Sequence, residues 1–435
     1  MLVCALPSLA SAQAPTRLSI EDALRAADTA SAGLAIAREE VDRSRDSITS
    51  ARSGWLPSVT GSSSYTRTLR SEFEGISFGA PGEEVELPFG QRNVWRLGLI
   101  VQQPIFDGGK TSASLKLARA GVRAGEHGVR AARAQAVLLV GQAYYDAVLA
   151  QRQVDIGQVS LEQSDKTLAD TKLNFEQGAA PEFDLVRAEV ARDNQRSSLI
   201  RFRTQRDLAF VSLKRLVALP LDRPLELVSP LDAADLDAVV VTAKSVAKVG
   251  DAQRAPVEQA REVVQMRQAS LGVAKADRLP QLSALSDLGF VDYANQPFNS
   301  DWRTNWTVGI NLSVPIFDGF RRSAAVRSAK SDVRIARAQL DDATRRSQVE
   351  AFQADADIAA ANATLETTAR TVAQAKRAYQ IAELRFQQGA STHLELVDSR
   401  VQLETAQLNH ARSSRDLRVA RLRHALLSGL PLGAP

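Results

Sequence analysis

The segment from Asn305 to Val314 alternates strictly between polar and apolar residues. Every even-numbered position in it is apolar and every odd-numbered one is polar or glycine. A period of two gives a β-strand one apolar face and one polar face. The same pattern in looser form predicts three more strands, at about 57–67, 93–103 and 279–293, so that four strands form two hairpins.

Two long stretches between prolines have the composition of α-helices. No proline occurs between Pro104 and Pro181 or between Pro315 and Pro431, and the intervening residues are rich in Ala, Arg, Gln, Leu and Glu. These are good helix formers, so the sequence predicts long helices over 110–177 and 321–388. Each would be roughly 100 Å long at about 1.5 Å per residue. Helices of this length need partners along their apolar stripe, which predicts antiparallel packing against the shorter helices.

The two halves of the chain repeat each other. Residues 95–110 recur as 306–321, 211 positions later, and residues 175–186 recur as 386–397 with the same offset. We interpret residues 13–220 and 251–431 as two structural repeats joined by an equatorial linker at 221–250. Two copies of a unit that mixes strands with long helices indicate a symmetric shell rather than an asymmetric catalytic pocket.

The duplicated Pro-Ile-Phe-Asp-Gly motif lies where each strand must become a helix. Proline is expected to end the ladder, aspartate to cap the first helical amides, and glycine to permit the tight turn. The corner residues predicted in this way are Pro104, Asp107, Gly108, Pro315, Asp318 and Gly319. At the opposite ends of the long helices, Gly178 and Gly389 supply the left-handed residue at which each helix reverses.

Composition excludes several classes of function. The net charge is only +4 and no basic block stands out, so nucleic acid is not an expected partner. The four histidines show no metal-ligand spacing, and no phosphate loop or nucleophile elbow is present. We therefore expect no enzyme, no cofactor and no metal site. Residues 1–12 are typical of the remnant of a signal peptide, with the true start expected upstream.

The apolar runs also restrict how the chain can meet a membrane. No stretch reaches 18 uninterrupted apolar residues, so no transmembrane helix is expected. The predicted strands instead match the length of membrane-spanning strands, about 9–11 residues. Four strands cannot close a barrel, since the smallest has about eight, but three chains would supply twelve.

Together these motifs resemble the outer-membrane efflux protein family, the TolC-like outer membrane factors. The resemblance lies in the duplicated corner, in Leu56-Pro57 and Leu279-Pro280 before the first strand of each half, and in the Phe-x-x-Gly tips. It implies a mixed α/β membrane protein. In that fold a trimeric 12-stranded β-barrel in the outer membrane, in contact with its lipid, continues as a long antiparallel α-helical coiled-coil barrel across the periplasm. It also implies a homotrimer that works with a periplasmic adaptor protein and an inner-membrane pump.

The resemblance further assigns roles to residues at the tips. Glu395 and Asp398 match the acidic constriction of the family, and Asp184 matches one partner in the links that hold the closed state. Phe386 and Ser391 stand where the family has a tyrosine and an arginine, so that Phe386 packs apolarly or other residues hold the entrance. The contacts with the adaptor would fall on Gly178, Ala179, Gly389 and Ala390. Glu395 has an alternative role, because Thr392 and Glu395 also form a capping-box pattern.

Three functions remain open at this point. The first is the exit duct of a tripartite efflux system that exports small molecules through a tunnel gated at its periplasmic tip. The second is a type I duct that secretes whole proteins, which the generic tunnel chemistry does not separate from the first. The third is a soluble periplasmic coiled-coil scaffold, which would be extracted without detergent.

Overall fold

The computed structural model describes residues 15–70, 92–231, 236–250, 254–293 and 302–433. The expected signal-peptide remnant at 1–12 lies outside the described residues. The chain is mostly helical, with a four-stranded sheet and a two-stranded one. Its elements are β1 (Thr16–Leu18), α1 (Ile20–Ala30), α2 (Ala32–Ser53), β2 (Ser58–Arg67), β3 (Asn93–Phe106), α3 (Lys110–Glu176), α4 (Glu182–Leu216), β4 (Leu225–Leu227), α5 (Leu236–Ala247), α6 (Ala255–Ala276), β5 (Gln281–Asp292), β6 (Arg303–Ser313), α7 (Arg321–Gln387) and α8 (His393–Leu426).

The chain divides into two compact units. Unit 1 contains Met1–Glu40, Gly125–Gln259 and Asp341–Pro435, and unit 2 contains Val41–Ala124 and Ala260–Leu340. Each unit is therefore assembled from segments that are distant in sequence. The long helices α3 and α7 contribute residues to both units.

The four-stranded sheet belongs to unit 2. Its strands run antiparallel in the order β2-β3-β5-β6, so the two hairpins are joined through β3 and β5. Ser58 lies opposite Gln102 in the first hairpin, and Gln281 lies opposite Ser313 in the second. The apolar residues of the alternating segment, Trp306, Val308, Ile310 and Leu312, are 61–75% exposed in the single chain.

The sequence predicted that Pro104 ends the first ladder, but the ladder continues past it. β3 continues to Phe106, and its pairing with β5 shifts register between Pro104 and Phe106. A β-bulge accommodates the missing amide of proline, since the extra residue is left out of the ladder. In the second half β6 ends at Ser313, before Pro315.

Within unit 2 the start of α3 packs closely and antiparallel against α6. A Cβ at Gly272 would lie 3.1 Å from the Cβ of Ala113, so glycine lets the two backbones approach. Arg123 donates to Glu262 at 2.9 Å farther along the same pair. The sequence signal for this contact is the density of small residues on both helices.

The main hydrophobic core lies in unit 1, around Tyr144 and Tyr145 of α3. Apolar residues of α1, α5 and α8 surround these rings, and the fully buried Leu24, Leu138 and Leu426 belong to the same cluster. The Tyr144 hydroxyl donates to the Leu18 carbonyl and accepts from the Ser229 amide, each at 3.1 Å. The short parallel pair β1–β4 is held there. The segment predicted as a linker, 221–250, thus supplies β4 and α5 to this unit.

Two antiparallel helix hairpins complete unit 1. In the first, Arg203 of α4 donates to Gln158 of α3 at 3.0 Å, and a Cβ at Gly157 would meet the Phe202 ring at 2.9 Å. In the second, His424 of α8 lies 3.1 Å from Asp355 of α7. Both hairpins reverse at turns that carry the predicted tip residues.

Candidate functional site

The turns that follow α3 and α7, which form the two helix tips, have the same backbone conformation. Gly178 and Gly389 adopt φ values of +76° and +71°, the left-handed region that glycine enters without strain. The next amides, of Ala179 and Ala390, donate back to carbonyls of the preceding helix at 2.8 Å. These bonds satisfy the last carbonyls of α3 and α7, as a C-terminal cap requires. Pro181 then precedes α4, while the Thr392 side chain caps α8.

Helix α8 has two different faces just beyond its tip. His393, Leu396, Arg400 and Leu403 are buried, at spacings of three and four residues that define one side of a helix. Glu395 and Asp398 lie on the other side and are exposed. The predicted acidic pair therefore points away from the packed side of α8 in the single chain.

The buried face contains polar groups that sequence reasoning missed. His393 is 5% exposed, its ring lies 6.1 Å from the Phe386 ring, and neither ring nitrogen has a hydrogen-bond partner among the described residues. Burial lowers the pKa of His393. Arg187 and Arg400 lower it further, against an opposing effect of Asp184. The histidine is therefore neutral in the packed state at neutral pH.

Arg400 and Tyr379 extend this buried group. Arg400 is 4% exposed, and burial lowers its pKa despite nearby Tyr379 and Glu404. The Tyr379 hydroxyl donates to Glu383 at 3.2 Å, and burial together with that carboxylate raises the pKa of Tyr379 to about 12. Gln195 of α4 donates to Glu404, so the cluster ties α8 to α4 as well as to α7.

The predicted gate residues take distinct positions around this cluster. Phe386 packs against Tyr379, Leu396 and Leu403, which is the apolar packing that we considered for it. Asp184 lies in the first turn of α4 and is half-buried. Its carboxylate acts electrostatically on His393. The structure therefore brings Asp184 and Phe386 to the same cluster.

Glu395 and Asp398 differ in how far their charge is compensated. A Glu395 oxygen lies 4.0 Å from an Arg385 nitrogen, and Arg385 also donates to the Ala390 carbonyl at 3.3 Å. Asp398 accepts from the neutral amide of Gln402 at 2.8 Å. Only half of the capping box forms in the described chain, because the Thr392 hydroxyl accepts from the Glu395 amide but the Thr392 amide does not donate to the Glu395 carboxylate. Among the described residues, Asp398 thus has no cationic side chain paired with it, unlike Glu395.

The corners between strand and helix form the second predicted site, in unit 2. We define the first corner as residues 104–109 and the second as 315–320. Asp107 accepts from the amides of Gly109 and Thr111 at 2.9 and 2.6 Å, and Asp318 accepts from the Arg322 amide at 3.0 Å. Burial raises the pKa of Asp107, but the hydrogen bonds from Thr111, Gly109 and Lys110 outweigh it and lower the pKa overall. Both aspartates therefore act as helix caps.

The part of the chain that the structure describes contains no candidate metal-binding cluster and no candidate membrane-spanning helix. No group of three or more His, Cys, Asp or Glu residues there is arranged to hold a metal ion. Among the described helices, none is both long enough and apolar enough to span a membrane. A cavity of about 510 Å³ does lie between α4 and α8 and is lined by Arg187, Gln195, Arg400 and Glu404 among others.

This combination of long helix hairpins, duplicated corners and a sheet with an exposed apolar face defines a class of protein. The family model for outer membrane efflux proteins matches residues 23–219 and 251–429. The chain belongs to the outer membrane efflux protein family. The predicted family and the predicted location in the outer membrane are thereby confirmed.

Individual relatives are distant. The chain is 27% identical over 255 residues to the alkaline protease secretion protein AprF of Pseudomonas aeruginosa, covering 57% of this chain and 51% of that protein. It thus spans about half the length of that relative. The outer membrane protein TolC of Vibrio cholerae is 23% identical over 398 residues, covering 88% of this chain and 85% of TolC.

Solved structures agree on the fold. The CmeC outer membrane channel of Campylobacter jejuni superposes with a TM-score of 0.77 at 18% identity, covering 96% of this chain and 87% of CmeC. Of the proteins named in these comparisons, AprF is a secretion protein and CmeC is an outer membrane channel.

Proposed function

We propose that this chain is the exit duct of a tripartite efflux system and works as a homotrimer. The observation that carries the proposal is the match of the efflux family model to both halves of the chain. Three four-stranded sheets would close a 12-stranded barrel in the outer membrane. The long helix hairpins would continue the tunnel into the periplasm, where a periplasmic adaptor would bind the tips and link the duct to an inner-membrane pump.

The sheet supports this assembly. β2 and β6 are its two edges, and an edge strand presents unpaired amides and carbonyls that favour pairing with another chain. The side chains of β2 and β6 are all exposed in the single chain, unlike most of those in β5. Pairing of these edges around a threefold axis would leave no free edge and would direct the apolar face of β6 to outer-membrane lipid.

The tip chemistry supports a gate. In a trimer, Asp398 would form a ring of carboxylates around the axis, with Glu395 as a second and partly compensated ring. Such rings favour cations and hinder anions. The cluster of Phe386, His393 and Arg400 would hold α8 inward against α4 and α7, with Asp184 beside it, and splaying of the tips would open the entrance. Gly178, Ala179, Gly389 and Ala390 are the positions proposed for adaptor contact.

Planar-bilayer recording of the purified protein tests both the channel and the role of the acidic residues in its gate. We expect cation-selective channels, with higher conductance and lower cation selectivity when Glu395 and Asp398 are both replaced by alanine. The matched control replaces Glu189 and Asp193, an exposed acidic pair on α4, and should leave selectivity unchanged. Absence of channels would refute the duct. Unchanged selectivity in the Glu395 and Asp398 double variant would remove these residues from the gate.

A second candidate, secretion of whole proteins, is favoured by one specific observation. AprF, whose name describes secretion of alkaline protease, aligns with 57% of the chain. Copurification from native membranes separates the candidates. Recovery of a proton-driven pump with the duct would support small-molecule efflux, and recovery of an ABC exporter would support protein secretion. Extraction of the chain without detergent would instead support the periplasmic scaffold.

A further inference from the structure

The two corners of this chain differ in what covers them. At the first corner, a Cβ on Gly108 would lie 2.8 Å from both the Leu279 side chain and the Ala276 carbonyl, and Lys110 pairs with Asp277 at 2.9 Å. At the second corner, apart from Gly319 itself and its two chain neighbours, no atom of the described residues lies within 4 Å of the equivalent point on Gly319. The apolar side chains of the second corner are exposed to solvent in the single chain, with Ile316, Phe317 and Phe320 at 93%, 76% and 69% exposure.

The segment that covers the first corner has a counterpart in the other half. Leu279-Pro280, between α6 and β5, corresponds to Leu56-Pro57, between α2 and β2. In this chain Trp55 and Leu56 are 51% and 61% exposed. Each half therefore contains one corner and one covering segment. One corner and one segment meet within the chain. Among the described residues the second corner has no covering segment, while residues 53–57 contact Gln103 and Thr111 of their own chain and leave the Trp55 and Leu56 side chains exposed.

We propose that residues 53–57 of one copy cover the second corner of the neighbouring copy, and that β2 pairs there with β6 in the register that β5 has with β3. The proposal rests on the trimeric duct proposed above and names the contact that closes it. The internal repeat supplies the register. The two hairpins already obey the repeat, because Ser58 opposite Gln102 becomes Gln281 opposite Ser313 when each residue is moved to its counterpart.

The same transfer applied to the junction between β3 and β5 predicts the contact between copies. Ile100 lies opposite Asp287 and Leu99 opposite Leu288 within the chain. When each residue is replaced by its counterpart in the other half, Asn311 of one copy lies opposite Ser64 of the next. Ile310 likewise lies opposite Tyr65 of the next copy. In this register Asn311 meets Ser64 on one face of the sheet and Ile310 meets Tyr65 on the other, while Leu312 and Val308 face Ser63 and Arg67. A slip by one residue would turn every side chain of β2 to the other face of the sheet.

The corner residues change together in a way that fits an apolar contact between copies. Gly54 stands where Asp277 stands in the other half, so the ion pair with Lys110 has no repeat. Trp55 replaces Arg278, and Phe320 replaces Gly109. Phe320 has a φ of +67°, a strained value for a bulky residue, and its ring meets the Phe317 ring edge-on at 5.6 Å. Backbone strain of this kind is concentrated at functional contacts. Here the two rings form the surface that Trp55 and Leu56 would cover.

Disulfide trapping tests the register. Cys4 is the only cysteine in the sequence, so a Cys4→Ser background is free of other thiols. We expect the Ser64→Cys and Asn311→Cys variant, oxidised in outer membranes, to give a covalent trimer on a non-reducing denaturing gel. The control pair Thr60→Cys with Asn311→Cys should give monomers, since four residues displace the thiol by roughly 13 Å along a strand, beyond disulfide reach.

The outcomes separate this proposal from the function on which it rests. Trimers by native mass spectrometry without a crosslink at 64 and 311, or with a stronger crosslink at 60 and 311, would overturn the register and leave the duct standing. Monomers by native mass spectrometry in mild detergent would overturn the trimeric duct itself.

A double-mutant cycle tests the corner contact. Phe320→Gly and Leu56→Ala should each lower the temperature at which the trimer dissociates, and the double variant should lower it by less than the sum, because the two residues touch across copies. Leu56→Ala combined with Phe352→Ala, an exposed aromatic residue on α7, should be additive. Additive effects of Phe320→Gly and Leu56→Ala, or a higher dissociation temperature for Phe320→Gly, would refute the contact.

Discussion

Arg254 joins three parts of unit 1, and its removal should destabilise that unit. Its guanidinium pairs with Glu350 of α7 at 2.7 Å and donates to the Leu427 carbonyl, at the end of α8, at 3.1 Å. Longer bonds reach the carbonyls of Ser347 and Leu430, at 3.3 and 3.4 Å. The Arg254 and Glu350 side chains are only 10% and 19% exposed, so water cannot readily replace these bonds.

The magnitude follows from what remains after Arg254→Ala. Breaking a buried ion pair by removing one partner costs about 3–5 kcal/mol, chiefly because a charge is left unpaired. Glu350 would keep the amide of Gly433 at 2.7 Å, which compensates part of its charge. We therefore expect about 3 kcal/mol, the lower end of that range. This corresponds to a roughly 150-fold larger equilibrium population of the opened end of α8.

Hydrogen exchange of the detergent-purified protein measures this directly at the amides of Leu422–Leu430. Glu350→Ala should cost less than Arg254→Ala, and the double variant should show a coupling of about 1–3 kcal/mol between the two sites. The conservative variant Arg254→Lys should restore only part of the protection, since lysine lacks the planar fork. A loss below 1 kcal/mol in Arg254→Ala, or strict additivity, would refute this account of Arg254.

Three further predictions concern the tip, a corner and the core. Below pH 6.5, the ordinary pKa of histidine, the opened tip takes up a proton at His393 before the packed one does. Packing is then favoured above that pH and lost as pH falls through the lower folded value. Amides at 386–403 should exchange faster at pH 5.5 than at 7.5 after correction for intrinsic rates, and persistence of this difference in His393→Leu would contradict the reasoning. Asp107→Ala should cost about 1 kcal/mol at the start of α3, while Asp107→Asn costs less because it still accepts a bond. The lowered pKa of Asp107 means that this contribution is present above its ordinary pKa and lost as pH falls through the folded value, which acid titration of the same amides would reveal. In Gly141→Ala the new Cβ would overlap the buried Leu422 side chain, so we expect a loss of about 1–3 kcal/mol by thermal unfolding. Gly128→Ala on the same helix meets only an ordinary contact at 3.6 Å and should be neutral or stabilising; equal effects of the two changes would contradict this account.

The long helices were the easiest elements to predict. Absence of proline and an excess of helix formers predicted 110–177 and 321–388, and the structure has helices over Lys110–Glu176 and Arg321–Gln387. Proline misled at the first corner. Its missing amide normally ends a ladder, but a bulge lets β3 continue to Phe106 because β5 offers a shifted set of partners. That partner comes from the other half of the chain, and local sequence carries no information about it.

The buried cluster at the tip illustrates the opposite failure. His393 and Arg400 are polar, and a polar residue on a helix is usually assigned to the solvated face. Their spacing with Leu396 and Leu403 was the available signal, since all four recur on one side of α8. Their burial depends on Asp184, Arg187 and Gln195 of α4, which are about two hundred positions away in sequence. Tertiary packing of this kind cannot be read from a single helix.

The assembly of unit 1 from three distant stretches has a consequence for how the protein matures. A chain delivered to the cell envelope from its N-terminus presents every residue of unit 2 once position 340 has emerged, but unit 1 still lacks α8. Until α8 arrives, the apolar surroundings of Tyr144 and Leu24 have no Leu422 or Leu426 to pack against. Unit 1 thus cannot complete its core before the last helix is present. A truncated chain would expose a large apolar surface and become a target for chaperones and proteases.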